Sequence, residues 1–227
     1  MNETLAPANT LIIVVTVLVS LGGLRSAEFL GKYLFAPRPI LDHGEYYRLI
    51  TSGFLHAGWA HLFFNMYSLY SFGAPVERAL GAADFIAIYF AGIVGGNLVS
   101  LFLHRGDDYY RALGASGGVC GIIFAAIFLM PGGMVYVFPI PVAIPSPVYA
   151  ILFIAISFFG IRSGMGRIGH DAHLGGAIIG LLVATAIAPD IVSRSRNLYA
   201  IVMGISCVLF VYLYLANRRP PSRAKRW

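Results

Sequence analysis

"RALGASGGVCGIIFAA", residues Arg111–Ala126, sets four glycines and one serine at the head of a strongly apolar run. Small residues at this spacing are what two helices need in order to touch inside a lipid bilayer. Gly117 and Gly121 form one small-xxx-small pair, and Gly92/Gly96 and Gly176/Gly180 form two more. The stretch therefore points to helices packed through glycine in lipid. Whether Ser116 is one more small packing residue or a nucleophile depends on what the other apolar runs bring beside it.

Composition supports the lipid setting. Of 227 residues, 58% are hydrophobic and 11% charged, with a mean hydropathy of +0.77. One soluble core of this length could not hide so much apolar surface. Seven segments approach the roughly 20 apolar residues that a span requires. They are Thr10–Leu24, Ala57–Leu80, Phe85–His104, Ser116–Met130, Val148–Ile161, Ala172–Ala188 and Leu198–Ala216. The run Leu11–Leu21 lacks the basic flank of a signal peptide and reads as the first span of a polytopic chain. "MPGGMVYVFPIPVAIPSP", Met130–Pro147, is too rich in proline for a helix and is expected to be an extended or hairpin-like surface loop. Cys120 and Cys207 lie in apolar runs, a pattern of neither disulfide framework nor thiolate metal site. The basic tail Arg218–Trp227 supplies much of the net charge of +6 and suits anionic headgroups rather than nucleic acid.

Alternate spans run in the same direction, so the second, fourth and sixth begin on one membrane face. The polar residues within the spans gather at those three N-termini: His56, His61 and Asn65; Ser116; and His170, Asp171 and His173. With helical rise counted from Arg111, Ser116 lies about 7–8 Å below the headgroup level. His61 and Asn65 are i, i+4 and share a helix face. Close packing of the fourth and sixth helices would bring Ser116 within reach of His173.

Acyl transfer fits this set. Neutral histidine is the usual base for a serine nucleophile, and the tetrahedral oxyanion needs preset donors. The Ser116 N–H, the His61 ring N–H and the Asn65 amide are candidates. Asp171 and His173 point to different sides of a helix, so Asp171 is expected to cap it rather than complete a triad. Two other readings compete. His170, His173, His56 and His61 could be zinc ligands, although HExxH spacing is lacking and no glutamate stands ready as base. Intramembrane histidines among small residues also line transport paths, but here they lie near one surface rather than at the midplane.

At these residues the chain resembles the rhomboid family of intramembrane serine proteases. The matching pieces are "HAGWAHLFFN" (His56–Asn65), "GAPVERALG" (Gly73–Gly81), "GASG" (Gly114–Gly117) and "AHLGGAIIG" (Ala172–Gly180), in family order. The resemblance implies Ser116 as nucleophile, His173 as base, and His61 and Asn65 in the oxyanion hole, with no metal or cofactor. It gives supporting roles to His56, Gly114, Gly117, Gly176 and Gly180. Glu77 would bond backbone or a neighbouring loop, and Tyr47–Arg48 would fall in a first loop that braces the helices. Many members carry an aromatic residue four positions after the serine, stacked on the histidine; here that position is Cys120, which leaves His173 less constrained.

The expected fold is therefore an all-α polytopic membrane protein, a rhomboid-like six-helix bundle plus one additional C-terminal transmembrane helix. Residues 1–190 would form the catalytic core, 191–217 the extra helix and 218–227 the tail. The expected partners are the bilayer and membrane-anchored protein substrates cut in or near their spans, with no nucleic acid; the expected location is a cell membrane. A non-catalytic rhomboid-like binder of transmembrane helices is the alternative. Orientation stays open. The family's six-span core with a cytoplasmic N-terminus puts the active-site face outside, whereas the distribution of Lys and Arg puts it, and the C-terminus, inside.

Overall fold

The computed structural model describes residues 6–137, 142–163 and 169–217. Long helices form in each of the seven apolar segments. They are α1 (Pro7–Arg25), α5 (Trp59–Leu80), α6 (Ala82–His104), α7 (Ser116–Leu129), α8 (Ser146–Ser163), α9 (His170–Ile187) and α11 (Arg196–Asn217). Short helices α2 (Ala27–Tyr33), α3 (Pro37–His43) and α4 (Arg48–Thr51), followed by a 3-10 turn at Ser52–Phe54, fold the first loop, and α10 (Asp190–Arg194) precedes α11. The fold is all-α and polytopic. Five of the helices, α1, α6, α8, α9 and α11, are long and apolar enough to cross a membrane.

The proline-rich connection does form a hairpin. Strand β1 (Met134–Tyr136) pairs antiparallel with β2 (Ala143–Pro145), Val135 opposite Ile144. The basic tail and Arg167 lie outside the described residues.

The core is built around α7, whose 13 residues after Ser116 are all buried. At 1.5 Å per residue its 14 residues reach only about 21 Å, less than the ~30 Å hydrocarbon core. Helices α6 and α9 grip it through the three glycine pairs. A methyl placed on Gly92 would lie 2.7 Å from the Gly117 carbonyl oxygen, and one on Gly121 3.1 Å from that of Gly176. Gly176 faces the Gly117 backbone, Gly180 the Gly121 backbone, and Gly96 the Ala172 carbonyl, each too close for any side chain. Backbone meets backbone at these glycines, while the neighbouring Gly95, Gly118 and Gly175 take the side chains of Ile179, Tyr89 and Val99.

Two devices hold α1 and the first loop. Buried Glu77, near the end of α5, accepts from Ala8 N–H at 2.9 Å and Asn9 N–H at 2.7 Å. These are free donors at the positive end of α1, so the carboxylate satisfies both hydrogen bonding and dipole. Arg48, only 7% exposed, donates to Glu45 and to the Gly31 and Leu34 carbonyls at 2.6, 2.9 and 2.8 Å. The loop is thereby a folded wall.

The premise of the depth expectation fails: helical rise cannot be counted from Arg111, because α7 begins only at Ser116 and residues 107–115 form a non-helical strap. A non-helical chain advances up to about 3.3–3.6 Å per residue, more than twice the helical rise, and can carry Ser116 correspondingly further from Arg111.

Candidate active site

Ala115, the residue before Ser116, is held by a relay of hydrogen bonds. Ser20 on α1 donates to the Phe54 carbonyl at 2.8 Å and meets His56 Nδ1 at 2.9 Å. His56 Nε2, 3.4 Å from Ala115 N, accepts that backbone N–H. The pattern is self-consistent only with the proton on His56 Nδ1. Burial, together with neighbouring His61, pushes the His56 pKa down to about 3, so the ring is neutral at pH 7 and can accept. A second backbone bond, Gly114 N–H to the Ser52 carbonyl at 2.9 Å, fixes the next position of the strap.

Gly114 has φ +132°, a conformation that glycine adopts without steric cost. A side chain is excluded twice over, since a Cβ here would lie 2.8–2.9 Å from His61 Cε1 and Nε2. The same point is 3.7 Å from Ser116 Oγ. His61 and Ser116 therefore flank one spot, kept open by the missing side chain. His61 Nδ1 accepts a long bond from Ala57 N–H at 3.5 Å, which leaves the proton on Nε2, the nitrogen beside Gly114. Asn65, one turn on, donates one amide hydrogen to the His61 carbonyl at 2.9 Å and keeps the other.

Ser116 is the first residue of α7, with no side-chain cap in front of it. The first helical bond to reach back to Ala115 comes from Val119 N–H, so Ser116 N–H has no intrahelical partner. The seam brings the N-terminal turn of α9 beside it. A methyl on Gly117 would lie 3.5 Å from the Ala172 carbonyl oxygen, so the residues adjoining Ser116 and His173 touch. Ser116, His173, His61, Asn65 and Gly114 all line one cleft of about 820 Å³. His56, Gly117, Gly176 and Gly180 pack next to these residues without lining the cleft, and Glu77 lies near the C-terminal end of α5.

Two findings revise the sequence reading. Asp171 stands in the first turn of α9, where a carboxylate suits the positive end of the helix, and it does more than cap. Its buried carboxylate also meets His104 Nε2 at 3.3 Å and accepts from Tyr110 Oη at 3.2 Å. The α6 C-terminus and the strap both come within its reach, and i, i+3 spacing could not reveal partners 61 and 67 positions away. Cys120 is buried and lines the cleft, as do Tyr149 and Phe153 from α8. Aromatic lining of the cleft beside Cys120 thus comes from α8, which no local motif marks. His170 and His173 stand with ring centroids 6.2 Å apart, and His56 packs on His61 at 4.8 Å. Among the described residues, no three His, Cys, Asp or Glu side chains gather as a ligand set. Both cysteines are free thiols.

The rhomboid domain profile matches residues 43–190, well over half of the chain. The chain belongs to the rhomboid family. It is 30% identical over 177 residues to the mitochondrial rhomboid protein 1 of Saccharomyces cerevisiae, covering 76% of this chain and 51% of the yeast protein. To the rhomboid protease GluP of Bacillus subtilis it is 29% identical over 194 residues, 84% of this chain and 36% of that one. The mitochondrial RHOMBOID-like protein 12 of Arabidopsis thaliana is 34% identical over 152 residues, 60% of this chain and 45% of the plant protein. This rhomboid chain thus spans about half or less of the length of these relatives.

Proposed function

We propose that this rhomboid protein is an intramembrane serine endopeptidase acting through a Ser116–His173 dyad. The observation that carries the reading is the convergence of Ser116, His173, His61 and Asn65 on one cleft, at the uncapped start of a buried helix. His173 removes the Ser116 Oγ proton as the oxygen attacks the scissile carbonyl carbon. Negative charge then develops on the carbonyl oxygen, facing the Ser116 N–H, the His61 Nε2–H and the free Asn65 amide hydrogen. Collapse of the tetrahedral intermediate expels the amine, which takes the proton from His173. Water, deprotonated by the same imidazole, releases the acyl group from serine.

The substrates are membrane-anchored proteins whose helix unwinds locally to present a peptide bond to the cleft. Residues 1–190 serve as the catalytic core, 191–217 as an accessory helix and 218–227 as a headgroup-binding tail, in a multi-pass protein of the cell membrane. The yeast and plant relatives carry mitochondrial names, so localisation of the tagged chain in its own cells tests the last point.

The test of function is cleavage of a single-span substrate by purified protein in liposomes, comparing wild type with Ser116→Ala and His173→Ala. Both substitutions are expected to abolish cleavage, and a chelator to leave it unchanged. Retained binding of the substrate helix, with no cleavage by wild type across several substrates, would favour the non-catalytic binder. Loss on chelation would favour zinc.

A further inference from the structure

Four hydrogen-bonded links to other elements hold the strap residues Tyr110–Ala115 that lead into Ser116. Three run to the first loop or its edge. Phe35 and Ala112 exchange backbone bonds of 2.9 and 3.1 Å, Gly114 bonds the Ser52 carbonyl at 2.9 Å, and Ala115 bonds His56 at 3.4 Å. The fourth runs to the helix that carries the base: Tyr110 Oη donates to both oxygens of Asp171, at 3.2 and 3.4 Å. Asp171 is 4% exposed and precedes His173 by two residues.

The Tyr110 ring is fixed independently of its hydroxyl. It stacks on His104, the last residue of α6, with centroids 3.6 Å apart and planes 8° from parallel, and Phe35 meets its edge at 6.0 Å. His104 closes the cluster through its 3.3 Å contact with Asp171. Burial and the Asp171 carboxylate both hold the Tyr110 hydroxyl above its ordinary pKa, so it remains a donor. Tyr110, together with Arg111, Ala112, Leu113 and Gly114, lines the cleft that holds Ser116 and His173.

We infer that Tyr110 and Asp171, with His104 bracing the ring, are positioning residues that lock the nucleophile's strap to the base's helix. The inference rests on the Ser116–His173 reading. The glycine seam fixes how α7 and α9 pack below the site, whereas the Tyr110–Asp171 bond fixes them above it, at the cleft wall. Loosening it lets the strap move against His173 while the bundle stays packed. A buried carboxylate with two partners from distant elements is costly to place, and a helix cap would need neither.

The test compares purified wild type, Tyr110→Phe, Asp171→Ala and Asp171→Asn, with Asp108→Asn as control. Asp108 belongs to the same strap but pairs with Arg38 at 3.1 Å on the exposed surface. Tyr110→Phe keeps the ring and its stacking and removes only the hydroxyl; Asp171→Asn keeps an acceptor for it. Substrate cleavage, the rate of Ser116 labelling by a fluorophosphonate and thermal unfolding are measured on each. Misplacement of reacting groups by a fraction of an ångström predicts about a tenfold loss in kcat and labelling rate for Tyr110→Phe and Asp171→Ala. KM and melting temperature should stay near wild type, Asp171→Asn should recover most of the loss, and Asp108→Asn should match wild type. Wild-type rates in Tyr110→Phe and Asp171→Ala, or losses that only track unfolding, would overturn the inference. If wild type itself neither cleaves nor labels at Ser116, the dyad falls and the positioning role with it.

Discussion

The two flanks of α7 are built on opposite plans. Toward α6 and α9 the contact is backbone on backbone, made possible by Gly92, Gly96, Gly117, Gly121, Gly176 and Gly180. Toward α8 it is made by side chains, Tyr149 and Phe153 reaching across, with Phe124 meeting Phe153 at 5.2 Å. Only five of the 18 residues of α8 are buried, against 13 of 14 in α7. The cleft reaches this second flank, where Phe64 and Ser68 of α5 and Tyr149 and Phe153 of α8 line it. The difference teaches where each task sits. The glycine flank holds the α7 and α9 N-termini, with Ser116 and His173, in close-packed backbone, and the side-chain flank leaves an open cleft.

The strongest way to break this contrast is to put a side chain into the seam. Gly176→Val would drive two methyls into the Gly117 backbone, which cannot rotate away. A loss of at least ~3 kcal/mol is expected, enough to abolish a cooperative melt and cleavage together. Next in size is His56→Ala, which strands the Ala115 N–H and removes the partner of Ser20. Leaving buried polar groups unpaired predicts a loss of about 1–3 kcal/mol by thermal unfolding in detergent.

His56 also sharpens the comparison through pH. Its pKa falls from 6.5 to about 3 on folding, so the unfolded chain takes up the proton first as pH drops. The stability tied to this ring is complete above its unfolded value and is lost progressively between 6.5 and about 3. The melting temperature should therefore fall from about pH 7 to about pH 5, and with a shallower slope in His56→Gln. An equal slope in the variant would remove His56 from the account. The smallest effect belongs to the outer face of α8. Ile156, 59% exposed, should change stability by no more than about 0.5 kcal/mol on replacement by alanine.

These regions also differ in how legible they are in the sequence. The seam is written locally, since each glycine pair marks a helix face and its partner is another such pair. Apolar runs placed the seven long helices to within a few residues, and the prolines after Met130 marked the hairpin. The strap is not legible from helical rise counted at Arg111, because its non-helical path is held by Phe35, Ser52 and His56 from distant elements. The further partners of Asp171, His104 and Tyr110, likewise come from other elements and follow no spacing rule. Tyr149 and Phe153 read as ordinary span residues, because what makes them cleft residues is the gap between α5 and α8. Local pattern carries the packing, and tertiary placement carries the lining.

The central claim is that the glycine flank presents Ser116 to a base, and labelling of that serine tests it most directly. Purified protein in liposomes would be treated with a fluorophosphonate and the modified peptide identified by mass spectrometry. The account predicts a single adduct at Ser116 in wild type, none in Ser116→Ala, and a rate lower by about 10²–10⁴-fold in His173→Ala. Equal labelling of wild type and His173→Ala, or no adduct at Ser116, would contradict it.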